Sequence, residues 1–223
     1  MSQNRGEEMD AKRSILVYSD GDAKEILKSQ PELDRELSIE LANTLFPLKR
    51  FTPTEDGNLL LTNAQKNTLY IGSYPGLTIV STPAIAIDYP SRLPGSFLDP
   101  ELGNTIHLFA MHNAVEWFAY AIWKNGTLVR SLSVSGNDGQ ILEDIGPRQP
   151  FEEYHWSEGH PLFENPEEEN CSPFNFNPLD LGDAAFNEYL GYQIEGYTSD
   201  SSPIDPSQIP LVGLQKLPWW KIW

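Results

Sequence analysis

The stretch EWFAYAIWKNGTLVRSLSVS, residues 116–135, decides the fold. Asn125-Gly126 near its centre is the strongest short signal for a tight β-hairpin turn. On each side of the turn large and small residues alternate, and alternate side chains of a strand point to opposite faces of a sheet. The apolar run Thr105–His112 lies just before this stretch. Together these segments predict a three-stranded antiparallel meander.

Further strands and helices are predicted on either side of the meander. Ser14–Ser19, Thr68–Ser73 and Leu77–Ser81 are short apolar runs typical of buried strands. Asp22 is placed to cap a short helix that follows it. A second helix is predicted after Pro31, because leucines recur at every fourth position before Pro47, and a late helix is predicted over 179–192. The leucines are Leu33, Leu37, Leu41 and Leu45.

These elements define the predicted fold class and domain organisation. We predict one α+β domain over residues 14–223, with a mixed, mainly antiparallel sheet. The N-terminal helices are expected on one face, and a long Pro-rich C-terminal segment is expected to wrap the body. Residues 1–13 are polar and are expected to form a flexible leader.

Composition excludes several classes of function. The 223 residues carry a net charge of -17, which opposes binding to nucleic acid and to anionic membranes, since both require cationic side chains. There is no apolar run of the ~18 residues that a membrane helix needs. The one cysteine rules out an intrachain disulfide, and the polar N-terminus lacks the apolar centre of a secretory signal. We therefore expect a cytoplasmic protein.

The negative charge is concentrated in one region. Residues 139–210 contain 15 acidic residues and a single basic one, Arg148. A surface of this kind can attract a basic protein and speed its association, although acidic side chains also serve simply as a solvated face. The candidate partner-binding residues are Glu152, Glu153, Glu158, Glu164, Glu167, Glu168 and Glu169.

Two carboxylates after the first predicted strand are candidates for catalysis. Asp20 and Asp22 flank Gly21, and paired carboxylates beyond a strand end can hold Mg²⁺. The pattern superficially resembles the opening motif of haloacid-dehalogenase phosphatases, without that family's later acidic residues. The alternative is a turn followed by a helix cap, which also accounts for Glu25 three residues after Asp22.

A histidine and a glutamate beyond the Thr105–His112 run are the second candidate for catalysis. His112 and Glu116 are four residues apart and share a face on a helix or a strand. A carboxylate can orient an imidazole and shift its pKa for acid–base work. The alternative is a structural pair at a strand end. With Asp20 and Asp22, these residues define an alternative function, a metal-assisted hydrolase.

Two C-terminal features carry weaker hypotheses. The segment from His155 to His160 holds two histidines and Glu158, but it lacks the spacing of a known metal motif, so we expect neither a metal nor a cofactor. The tail contains Trp219, Trp220 and Trp223, which either close the core or join subunits. The oligomeric state is left open.

Five segments resemble an uncharacterised bacterial domain family that carries only a domain-of-unknown-function label. The resemblance covers nearly the whole chain after the leader and implies a single domain, but it implies no activity, substrate or site residue. The leading hypothesis is therefore a non-enzymatic binding protein, such as an immunity or antitoxin-like inhibitor of a basic toxin. The segments are ILVYSDGD (15–22), YIGSYPG (70–76), AMHNAVEWFAYAIWKNGTLVRSLSVS (110–135), PFEEYHWSEGHP (150–161) and PFNFNPLDLGDAAF (173–186).

Overall fold

A computed structural model describes residues 12–60, 65–137, 139–158, 174, 176–194 and 203–217. The ten strands are β1 (Lys12–Ser19), β2 (Phe51–Pro53), β3 (Gly57–Asn58), β4 (Thr68–Tyr74), β5 (Leu77–Ser81), β6 (Thr105–His112), β7 (Trp117–Lys124), β8 (Thr127–Ser135), β9 (Gln140–Ile145) and β10 (Pro210–Lys216). The four α-helices are α1 (Ala23–Lys28), α2 (Arg35–Leu45), α3 (Pro150–Glu158) and α4 (Pro178–Leu190).

All ten strands belong to one antiparallel sheet. Its order is β2-β10-β4-β5-β1-β6-β7-β8-β9, and β3 pairs with β10 beside β2. The predicted meander is confirmed as β6, β7 and β8, and Asn125 and Gly126 both have positive φ in the tight turn that joins the last two. The α+β class with a mainly antiparallel sheet is therefore confirmed.

Among the described residues, two large apolar clusters cover the opposite faces of this sheet. Along β1, Ile15 and Val17 belong to the first cluster, whereas Leu16 and Tyr18 belong to the second. The first cluster is closed by α1 and α4, and the second by α2 and a chain of short 3-10 turns between Pro83 and Leu102. The strands in the middle of the sheet, β1, β6 and β7, are therefore buried on both faces, which explains why their sequences are nearly continuously apolar.

The two N-terminal helices differ from the expected arrangement. We expected both on one face, but Ala23 and Leu27 of α1 pack in the first cluster, and Ala42 and Leu45 of α2 pack in the second. The connection between them contacts the end of β4, where the backbone N–H of Asp34 donates to the carbonyl of Ser73.

The start and the buried face of α2 also differ from the prediction. The helix begins at Arg35, with Asp34 as its N-cap, rather than just after Pro31. Leu37 is 40% exposed, and Ser38 is fully buried instead. The hydroxyl of Ser38 accepts a hydrogen bond from the backbone N–H of Ser73 and donates to the carbonyl of Asp34, so a polar contact with the sheet sets the orientation of the helix.

Five elements were not predicted: the helix α3 and the strands β2, β3, β9 and β10. Lys12 and Arg13, assigned to the leader, belong to β1. The expected late helix is confirmed as α4, capped by Asn177 and ended by Gly191. The Trp tail and the rest of the N-terminal leader lie outside the described residues, as does much of the Pro-rich segment. In the described part, no helix has the length and apolar character to span a membrane.

Candidate functional site

The four residues predicted to form a catalytic site lie at opposite ends of the sheet. Ser19, just before Asp20, is paired with Thr105, whereas Lys12 at the far end of β1 is paired with His112. The two ends of β6, Thr105 and His112, are seven residue steps apart, a distance of roughly 23 Å along the strand. A single substrate atom cannot be reached by Asp20 and His112 together. The prediction that Asp20, Asp22, His112 and Glu116 form one hydrolase site is therefore wrong.

The carboxylates of the Asp20–Asp22 loop have structural roles. The Asp22 side chain accepts hydrogen bonds from the backbone N–H groups of Lys24 and Glu25, which is an N-cap. The Asp20 side chain accepts from the backbone and the side-chain amide of Asn104, both at 3.2 Å. Nowhere among the described residues do three or more potential ligands group together around a metal position.

Glu116 shapes the connection between β6 and β7. It follows a 3-10 turn over Asn113–Val115 and adopts a left-handed conformation with φ 46°. Its carbonyl accepts a hydrogen bond from the backbone N–H of Gly136, and a Cβ at Gly136 would lie 2.7 Å from a carboxylate oxygen of Glu116. The close approach joins this turn to the end of β8, which is a structural role.

The prediction that Glu152 belongs to a partner-binding surface is wrong, because this residue is buried. Its side chain is 0% exposed and forms a double hydrogen bond with Arg130, which is also 0% exposed. The carboxylate further accepts from the Tyr120 hydroxyl, the backbone N–H of Gln149 and the Trp156 indole. A carboxylate with this number of partners below the surface cannot meet another protein.

Arg130 is the centre of this buried network. Besides Glu152 it binds the Asp144 carboxylate and the carbonyls of Ile145 and Gly146. Burial by itself would lower the pKa of Arg130, but the hydrogen bonds to Glu152 and Asp144 outweigh it and raise that pKa. The network ties β7, β8, β9 and α3 together, so we interpret it as a structural anchor.

The other residues of the predicted partner surface divide into two groups. Glu153 is exposed on α3, as predicted. Glu164, Glu167, Glu168 and Glu169 lie outside the described residues, as do the side chain of Glu158 and the whole of His160.

Sequence reasoning missed His107. It lies on β6, 7% exposed, with its ring against Tyr189 of α4 at 4.5 Å between centroids. The pKa of His107 is lowered to about 4; burial is the largest cause, the charge of Lys124 adds to it, and that of Asp22 opposes it. Its Nδ1 is buried and has no hydrogen-bond partner among the described residues. His107 is thus the histidine that lies near the Asp20–Asp22 loop, and the available signal was a polar residue in the middle of an apolar run.

A wide cleft lies between the start of α2 and the β4–β5 hairpin. We call it the acidic cleft; it is lined by Glu32–Leu37 and Ser73–Gly76 and has a volume of about 620 Å³. Its lining contains three carboxylates, those of Glu32, Asp34 and Glu36, and one cation, Arg35, which is already paired with Asp56. The exposed side chain of Leu37 adds an apolar contact.

The Asp20–Asp22 loop adjoins the acidic cleft. The backbone N–H of Asp20 donates to the carbonyl of Gly76 at 3.1 Å, and Gly76 lines the cleft. The two carboxylates suspected of catalysis therefore extend the negative surface at this end of the sheet. The arrangement can bind a cationic group.

Fold and site together define an α+β protein with one two-faced antiparallel sheet and a negatively charged cleft at one end. The chain belongs to the DUF6928 family, a family of unknown function, whose model matches residues 13–214. No curated protein and no solved structure matches the chain.

Proposed function

We propose that this chain is a non-enzymatic, acidic binding protein that receives a basic segment of another protein in the acidic cleft. The observation that carries the proposal is the lining of that cleft. Glu32, Asp34 and Glu36 face a space of about 620 Å³, and its single cation, Arg35, is paired with Asp56. A lysine or arginine side chain entering the cleft gains these carboxylates as partners.

Two further observations support a binding role. The exposed Leu37 gives a partner an apolar contact beside the charges, and an interface with an apolar centre and a charged rim is typical of stable complexes. The net charge of -17 attracts a basic protein over a distance of about a Debye length and raises the association rate.

The specific form of the proposal is a cytoplasmic inhibitor of the immunity or antitoxin type, which masks a basic toxin. An inhibitor of this kind needs charge complementarity and a rigid surface, and it needs no catalytic groups. The acidic cleft supplies the negative charge, and contacts between Ser73, Ser38 and Asp34 hold the start of α2 to the sheet.

The direct test is binding to the protein encoded by the neighbouring gene. The two purified proteins are mixed at 50 mM salt (roughly a 14 Å Debye length) and the complex is measured by size-exclusion chromatography and calorimetry. We expect a complex that weakens as salt is raised. Glu32→Gln with Glu36→Gln should weaken it at least tenfold, or about 1.4 kcal/mol.

The matched control removes two charges elsewhere. Glu101 and Glu188 are both exposed and lie outside the acidic cleft, so Glu101→Gln with Glu188→Gln should leave affinity within a factor of about three. A separate Glu153→Gln variant tests the surface predicted from sequence. Absence of any complex at low salt, or equal losses in the cleft and control variants, would contradict the proposal. Suppression of the neighbour's toxicity on co-expression tests the inhibitor form.

A further inference from the structure

A second cleft, at the opposite end of the sheet, has the reverse charge. We call it the lysine cleft; its volume is about 120 Å³, and Lys49, Lys66 and Lys216 line it together with Phe46 and Phe51. Among the described residues that line it, none is acidic. The acidic cleft lies at the Tyr74 end of β4 and the lysine cleft at its Thr68 end, so about 20 Å of strand separates them.

In the described part of the chain, the lysines come together without a compensating carboxylate. Within the described ranges, none of Lys49, Lys66 and Lys216 forms an ion pair. Burial lowers the pKa of Lys49, and the nearby charge of Lys216 lowers it further. Like charges held near each other destabilise the protein, and a bound anion would remove that repulsion. The chain has a net charge of -17, so the local positive charge of these three lysines is opposite in sign to that of the whole protein.

The walls of the lysine cleft are rigid. Phe46 is buried and makes edge-to-face contacts with Phe51 and Phe97, at 5.7 and 5.4 Å between centroids. The ammonium of Lys49 lies over the Phe46 ring at 4.8 Å, which restricts its position. Lys216 is held on the other side, because its backbone N–H donates to Asn67 and its residue pairs with Phe51 across the sheet.

We propose that the lysine cleft binds the phosphate group of a small molecule. Lysine ammonium groups bind phosphate as point charges, and a space of about 120 Å³ accommodates one such group rather than a polymer. Thr82, whose side chain makes no capping hydrogen bond to the turn that follows it, also lines this cleft, and its hydroxyl is a further candidate donor. The aromatic walls suit an organic substituent on the phosphate.

The test is a titration followed by the backbone amide signals of Thr68 and Ala84, which line the lysine cleft. Inorganic phosphate and phenyl phosphate are added separately while the sodium concentration is held constant with chloride. We expect saturable shifts with both probes. Equal affinities would mean that the cleft recognises the phosphate group alone. Tighter binding of phenyl phosphate would mean that the cleft also contacts the organic substituent.

The decisive comparison uses two double variants of equal charge. Lys49→Gln with Lys216→Gln should weaken binding at least tenfold, whereas Lys28→Gln with Lys124→Gln, which alters lysines outside the lysine cleft, should leave it unchanged. Lys66→Gln, at an exposed position, gives a smaller loss and serves if the first variant does not fold. Shifts that never saturate, or that are the same in both double variants, would overturn the proposal.

Discussion

At the scale of single residues, Arg130 and His107 are both buried, but Arg130 is charged and His107 is neutral. Arg130 keeps its charge because Glu152 and Asp144 bind it. His107 lies against the rings of Phe109 and Tyr189, and no carboxylate forms an ion pair with it among the described residues. It is therefore held neutral.

The neutral state of His107 predicts a loss of stability in acid. Its pKa is about 4 in the folded protein against 6.5 ordinarily, so the folded state binds the proton less tightly than the unfolded state. The stabilisation is fully present above pH 6.5 and is lost as the pH falls towards 4, by about 2–3 kcal/mol. Urea unfolding between pH 7 and 4.5 measures this loss.

Other groups titrate in the same range, so the comparison needs a variant. His107→Phe keeps an aromatic ring and removes the proton site, and its stability should fall less over this pH range than that of the wild type. Parallel pH curves for wild type and His107→Phe would contradict the neutral, buried histidine.

At the scale of elements, the sequence predicts those parts of the fold whose signals are local. The Asn125-Gly126 turn and the alternation beside it specify β7 and β8, and Asp22 specifies the start of α1. The start of α2 was mispredicted because the stripe of leucines ignores the hydroxyl of Ser38, whose partner, Ser73, is 35 residues away. A contact of that range leaves no periodic signal.

The candidate sites could be predicted only in part for the same reason. Asp20 and Asp22 were identified as chemically interesting, but their neighbours, Gly76 and Asn104, come from distant loops. Nothing in the local sequence places Lys49 beside Lys216, since pairing of β2 with β10 brings them together. Helix α3 was missed because its periodicity is weak, and a buried ion pair holds it in place instead.

The ion pair that anchors α3 to the sheet predicts a large effect on stability. Arg130→Met leaves the buried Glu152 charge without its cationic partner and should cost about 3–5 kcal/mol in the free energy of unfolding, measured in urea. Arg35→Met breaks the exposed pair with Asp56 and should cost at most about 1 kcal/mol.

The double variant Arg130→Met with Glu152→Met separates an uncompensated charge from lost packing. Because both charges are removed, its cost should be well below the sum of the two single variants. A cost equal to that sum, or an Arg130→Met variant as stable as Arg35→Met, would show that the network does not anchor α3.

At the scale of the whole molecule, the sheet separates two clefts as well as two large apolar clusters. Its two ends hold clefts of opposite charge, and its two faces hold the two apolar clusters. The central strands contribute side chains to both clusters, with Ile15 and Leu16 of β1 as neighbouring examples. Neither cluster can lose its strands while the other keeps its packing.

The shared strands predict that the chain unfolds as a single domain in one transition, although it exceeds the size of about 150 residues below which two-state unfolding is usual. Leu190→Ala, in the first cluster, and Leu108→Ala, in the second, should each cost about 2–5 kcal/mol. Each should move the whole transition, followed by far-ultraviolet circular dichroism and by tryptophan fluorescence. Trp123 reports on the second cluster, and Trp156 packs against the first. If Leu190→Ala shifted only one of two resolved transitions, the two faces of the sheet would unfold independently. The acidic cleft would then be held in place only by the face that α2 covers.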